Sequence, residues 1–175
     1  MSDFDLPLPF SDAYWVVPGL FLAGEYPGVY DELVTRHRIQ SLIRLGITNY
    51  IDLTHPDDYV RGYEEILQDE ANGYMKKVHY FRESISDRSV PSIAQMTRIL
   101  DRLETCIKEK KPVYVHCIAG IGRTGTVVGC YLARQGVAAD DLVDEIKTLR
   151  LRTSCYWARS PEADIQVDFI KAWKS

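Results

Sequence analysis

At 175 residues, 46% hydrophobic and 26% charged, the chain is sized and composed for one folded domain with its own core, which excludes a disordered or fibrous polypeptide. The formal net charge of −4 argues against bulk nucleic-acid binding, while leaving room for a local basic pocket. No run approaches the ~20 apolar residues that span a bilayer. The opening MSDFDLPLPFSD is acidic and broken by proline, unlike a signal peptide, so a cytoplasmic protein without membrane contact is expected.

Residues 1–12 read as an extended arm ahead of a single domain at 13–175. The stretch 14–23, YWVVPGLFLA, suggests two short strands around a Pro18-Gly19 turn. Apolar residues at Leu33, Val34, Ile39, Leu42 and Ile43 have helical spacing over 31–45, with Gly46 as a stop. A buried strand at 47–53, a weaker helix at 59–69 and a strand at 77–81 follow, then the polar loop SISDRSVP. Helical spacing resumes over 92–108, and PVYVH at 112–116 is a short apolar strand. Helices at 123–135, 139–149 and 161–173 complete the chain. Strands alternating with helices predict an α/β domain with a mainly parallel central sheet flanked by helices. Ligands bind such sheets off the carboxyl ends of the strands.

One strand-to-helix junction of this kind carries chemistry. It reads HCIAGIGRTG from His116 to Gly125. Gly120 and Gly122 permit tight or left-handed turns, so that successive backbone N–H groups point inward as an anion nest backed by a helix N-terminus. A thiol at the rim of that nest sits in positive potential, which favours the nucleophilic thiolate. Arg123 offers a planar fork that grips two phosphate oxygens at once, as a lysine would not. Thr124 is placed to donate its hydroxyl to the sulfur. The candidate nucleophile is Cys117, and the candidate phosphate-binding positions are Ile118, Ala119, Gly120, Ile121, Gly122 and Arg123. Six positions (His116, Cys117, Gly120, Arg123, Thr124, Gly125) agree in spacing, a coincidence on the order of 10⁻⁸ per start position from average residue usage.

HCIAGIGRTG resembles the HCxxGxxR[ST]G signature of the protein tyrosine phosphatase superfamily. The chain length and the following TVVGCYLARQGVAADDLVDEIKTLR are similar to its dual-specificity branch. The resemblance implies a phosphocysteine intermediate on Cys117, phosphate held by Arg123 and the loop amides, and His116 supporting the loop and thiolate. It implies no metal or organic cofactor.

Expelling an alkoxide or phenolate needs a proton donor on a loop opposite the cradle. Asp87, in SISDRSVP, is the candidate, and it matches the position of the acid in the dual-specificity branch. Its rivals are Glu83, at a strand end, and Asp101, in mid-helix. Ile85-Ser86 precede Asp87, a departure from the Trp-Pro-Asp loop. Ser89 or Ser92 serves to cap the next helix. Gln166 is similar to glutamines that position the hydrolytic water in some relatives, although helix position alone favours a solvent-exposed side chain. Arg159 is expected to face solvent, and His55-Pro56-Asp57-Asp58 to form a plain turn. Trp15, Tyr26 and Tyr30 read as core aromatics rather than pocket walls. His37 and His79 have no partners at ligand spacing. Cys106, Cys130 and Cys155 lack CxxC or metal spacing and read as reduced thiols, with Cys130 buried.

The expected reaction is hydrolysis of phosphotyrosine, and of phosphoserine or phosphothreonine in a shallow pocket, because no Lys-Asn-Arg-Tyr recognition loop is present. The partner is a phosphorylated protein or peptide, not nucleic acid. Alternatives on the same fold are an RNA 5′-triphosphatase, a phosphoinositide phosphatase or a catalytically silent phosphate-binding module. The lack of lysine at Ile118, Ala119 and Ile121 counts against phosphoinositides. The Arg-Thr-Gly finish counts against rhodanese-like sulfur transfer.

Overall fold

A computed structural model describes residues 6–174. The elements, in chain order, are β1 (Ala13–Val17), β2 (Phe21–Gly24), α1 (Glu32–Arg44), β3 (Asn49–Asp52), a 3₁₀ turn (Pro56–Asp58), α2 (Glu64–Gly73), β4 (His79–Arg82), α3 (Ile93–Lys108), β5 (Val113–His116), α4 (Gly122–Arg134), α5 (Leu142–Leu149) and α6 (Asp164–Ala172). The strands form one sheet in the order β1-β2-β5-β3-β4. Among the described residues only the β1–β2 pair is antiparallel, so the expected mainly parallel sheet is present.

The alternation of side chains along each strand sorts the core into two layers. Val113 and Val115 of β5 face a cluster with Ile99 and Leu103 of α3 and Val127 and Val128 of α4. Tyr114 between them faces the opposite cluster, with Ile39 and Leu42 of α1 and Leu67 of α2. Two helices therefore cover one face and four the other. Local signals start the helices that matter for the site. Asp31 caps α1 by accepting from Leu33 N–H at 2.8 Å, and Ser92 caps α3 by accepting from Gln95 N–H at 3.1 Å.

Three expected boundaries shift. The helix placed at 59–69 starts only at Glu64, because Tyr59 adopts a left-handed φ of 52° that closes the 3₁₀ turn. The last two helices begin at Leu142 and Asp164 rather than at 139 and 161. Of the expected arm, residues 1–5 lie outside the described residues. Leu8 and Phe10 pack on the α1–α2 layer, and the Trp15 indole N–H donates to the Pro7 carbonyl at 3.2 Å. No helix among the described residues is long and apolar enough to cross a membrane.

β2, β5, β3 and β4 all run in the same direction. Their carboxyl ends, at Gly24, His116, Asp52 and Arg82, therefore lie along one edge of the sheet, and the loops that leave them converge there.

Candidate active site

The cradle is the loop between the last residue of β5, His116, and the first of α4, Gly122. Neighbouring elements pin it. Tyr26 N–H donates to the Ile118 carbonyl at 2.8 Å. The Ser160 hydroxyl donates to the Ile121 carbonyl at 2.7 Å. Gly120 has φ of +70°, and a Cβ there would collide with the backbone of Gly24, where β2 ends. Only glycine satisfies both demands. No side chain caps α4, so the amides of its first turn are not spent on a cap and face the cradle as an anion site.

A cavity of about 310 Å³ opens over the loop. Cys117, Ile118, Ala119, Gly122 and Arg123 line it, together with three carboxylates, Asp58, Asp87 and Glu162. Cys117 is only 3% exposed. Gly120 and Ile121, expected among the phosphate-binding positions, do not line the cavity: Gly120 packs on Gly24, and Ile121 forms the N-cap of α4.

Arg123 is 2% exposed, and its fork is already engaged. Nη1 donates to Asp58 Oδ2 at 2.6 Å and to the Ile85 carbonyl at 3.0 Å. Nη2 lies 3.2 Å from Asp87 Oδ1. Burial works against the guanidinium charge, but the hydrogen bond to Asp58 and the neighbouring Cys117 and Asp87 outweigh it and push the Arg123 pKa up. Burial likewise works to raise the Asp58 carboxyl, yet the hydrogen bonds from Arg123 and from His55 N–H hold it below the usual carboxylate range. The plain-turn reading of 55–58 is therefore corrected, since Asp58 enters the site. The signal was its place just after the carboxyl end of β3, where four loops meet. Glu162 completes the cavity wall, and the sequence holds no signal for its place there.

Asp87 stands at the corner of a turn closed by Ser89 N–H donating to Ser86 O at 3.1 Å, with Arg88 left-handed at φ 55°. Its side chain is 61% exposed, open to a leaving group. The rivals are engaged elsewhere. Glu83 pairs with Arg98 at 2.9 Å and Asp101 with Arg134 at 2.8 Å. Ser92, not Asp87, caps α3.

His116 lies fully buried among Tyr26, Tyr63 and Tyr114. Its Nδ1 is 3.3 Å from the Cys117 carbonyl and its Nε2 is 2.7 Å from the Tyr63 hydroxyl. A carbonyl only accepts, so Nδ1 carries the proton and Nε2 accepts from Tyr63. Burial pushes the imidazole pKa down, opposed by the carboxylate of Asp52. A neutral histidine thus braces the loop, and Tyr63, which sequence patterning leaves as one more core aromatic, sets its tautomer. The Thr124 hydroxyl is buried and has no hydrogen-bond partner among the described residues, so the expected donation to sulfur is not made there.

Gln166 overturns its exposed reading. It is fully buried, donates from Nε2 to the Ser89 carbonyl at 3.1 Å and accepts from Ala163 N–H at 3.2 Å. Arg159 does face solvent, paired with Asp164 at 2.5 Å. Tyr26 is core, whereas Tyr30 is 95% exposed and Trp15 half-buried. Cys130 is a core thiol whose pKa burial pushes far up.

A mainly parallel sheet with a Cys–Arg loop at its carboxyl edge is the arrangement of the dual-specificity and protein tyrosine phosphatase fold. Residues 11–163 match the model of the PTP-SAK family, described as the Swiss Army Knife protein DSP-PTPase phosphatase domain, and the chain belongs to this family of phosphatase domains. It is 31% identical over 68 residues to cyclin-dependent kinase inhibitor 3 of Homo sapiens, covering 38% of this chain and 32% of that protein. It is 29% identical over 138 residues to the dual specificity protein phosphatase CDC14A of Homo sapiens, covering 70% of this chain and 20% of that one. The chain thus spans less than a third of the length of either relative. Among solved structures, Tk-PTP in its active form matches with a TM-score of 0.71 at 20% identity, covering 93% of this chain and 95% of that one, a likeness of fold.

Proposed function

We propose that the protein hydrolyses phosphate monoesters on tyrosine, and on serine or threonine, of cytoplasmic proteins through a phosphocysteine on Cys117. The observation that supports this reading is the convergence on one cavity of Cys117, Arg123 and Asp87 at the uncapped N-terminus of α4. The incoming phosphate takes up the Arg123 fork and the loop amides, displacing the carboxylate contacts that hold the fork in its absence. Cys117 thiolate attacks phosphorus. The S–P bond forms as the P–O bond breaks, and protonated Asp87 delivers its proton to the departing oxygen. Water then attacks phosphorus, its proton passes to Asp87 carboxylate, and the S–P bond breaks to release phosphate and thiolate. Thr124, whose hydroxyl is otherwise unpartnered, is available to donate to the sulfur as it leaves.

One cation faces three carboxylates among the residues lining the cavity. That balance suits a single phosphate and disfavours phosphoinositides and 5′-triphosphates, whose further charges would meet Asp58 and Glu162. The test is turnover of a phosphotyrosine peptide, a phosphoserine peptide, a phosphoinositide and a triphosphorylated RNA, each in the presence of a chelator. The phosphotyrosine peptide is expected to turn over fastest, and Cys117→Ser to lower its kcat by roughly 10⁴-fold or more. Undiminished turnover by Cys117→Ser would sink the mechanism, and faster turnover of the phosphoinositide or RNA would replace the substrate class.

A further inference from the structure

We propose that Gln166 is a positioning residue that fastens the turn carrying Asp87 over the cradle, rather than one that orients the hydrolytic water. The inference rests on the reading of Asp87 as the proton donor.

The turn is held at both of its ends. On the chain leading into it, Ile85 N–H donates to the Leu53 carbonyl at 3.1 Å, and the Ile85 carbonyl accepts from Arg123 at 3.0 Å. Beyond Asp87, the Ser89 carbonyl accepts from Gln166 Nε2 at 3.1 Å. Between these points Asp87 is exposed, and its charged contact is with Arg123. Phosphate on the Arg123 fork competes for that contact. During the reaction the position of the carboxyl therefore depends on the backbone fastenings, and the one on the far side belongs to Gln166.

The amide is itself preset. Ala163, the N-cap of α6, has no side-chain acceptor, and Gln166 Oε1 accepts its N–H at 3.2 Å. Holding the carbonyl end there turns Nε2 toward Ser89. Both ends of the amide are thus committed to backbone groups, and the side chain is fully buried. A group meant to orient water would keep an end free toward the cavity, which Gln166 does not line. The Arg88–Glu162 pair also links the turn to the α6 approach, but at 3.7 Å and with side chains 66% and 37% exposed it adds little.

The test is the rate of leaving-group release in the first turnover, measured for phenyl phosphate and for an aryl phosphate with a strongly acidic phenol. Gln166→Ala and Gln166→Met are compared with wild type and, in combination, with Asp87→Ala. Gln166→Met matches the side chain in length and volume and removes the donor to Ser89 without burying a charge, so the test does not hang on the alanine variant alone. Each is expected to slow release from phenyl phosphate about tenfold, part of the roughly 10²–10⁴-fold that a general acid contributes. Release of the acidic phenol is expected to change less than about threefold, and nothing further is lost in the Asp87→Ala background. Unchanged release with accumulation of phosphocysteine would overturn the proposal in favour of a role on water. Equal slowing for both leaving groups would overturn it as well. If Asp87→Ala alone shows no dependence on the leaving group, the proton-donor reading fails first, and this proposal falls with it.

Discussion

Arg123 is a buried cation whose partners are two carboxylates and a carbonyl. Burying a guanidinium is costly unless its donors are satisfied, so Asp58 stabilises the buried fork and Asp87 completes the set. Removing one partner leaves charge uncompensated. Asp58→Ala is expected to cost about 2–4 kcal/mol in the absence of anions, at or below the range for a stripped buried pair because Asp87 and the Ile85 carbonyl remain. Saturating inorganic phosphate substitutes for the lost carboxylate. Thermal melts should therefore show a larger phosphate-induced rise in Tm for Asp58→Ala than for wild type. An equal rise in both proteins would mean that Asp58 and phosphate do not compete for the same fork.

The elements around the site divide the work by how their ends are finished. α1 and α3 start on side-chain caps, Asp31 and Ser92, and need no ligand. α4 starts without one, at the cradle. Ser92→Ala is expected to lower stability by about 1 kcal/mol, read by urea unfolding, with kcat/KM for a good leaving group little changed. Gly120→Ala tests the loop instead. A left-handed backbone and a collision with Gly24 both oppose the new methyl. Strain of about 1–3 kcal/mol is expected, with loss of phosphate binding measured by titration, because the amides after Gly120 turn with it. Retained phosphate affinity in Gly120→Ala would show that the loop does not need the left-handed turn.

At the scale of the whole molecule, the parallel run of β2, β5, β3 and β4 delivers four loops to one edge, and the buried His116 lies beneath them. Burial holds its pKa below the ordinary value of about 6.5. In the range just below that pH the unfolded chain binds a proton that the fold does not, so stability is full above about pH 6.5 and is lost as pH falls through it. Asp58, depressed from about 3.8, adds its loss only below about pH 4. Unfolding free energies are expected to fall between pH 7.5 and pH 5.5, with a flatter profile in His116→Asn. The same slope in both would assign the titration to another group. Sequence alone determined the alternation of strand and helix, the cradle from Cys117 to Arg123 and the place of Asp87, because glycine turns, hydrophobic period and motif spacing are local properties. Tertiary structure decided the rest. Asp58 looks like any turn aspartate until β3 and β5 lie side by side, Tyr63 like any core tyrosine until it meets His116, and Gln166 like a surface residue until α6 packs on α4 and the turn at Ser89 closes on it. Each of these roles is a hydrogen bond between residues more than fifty positions apart, and no local pattern encodes a partner at that distance.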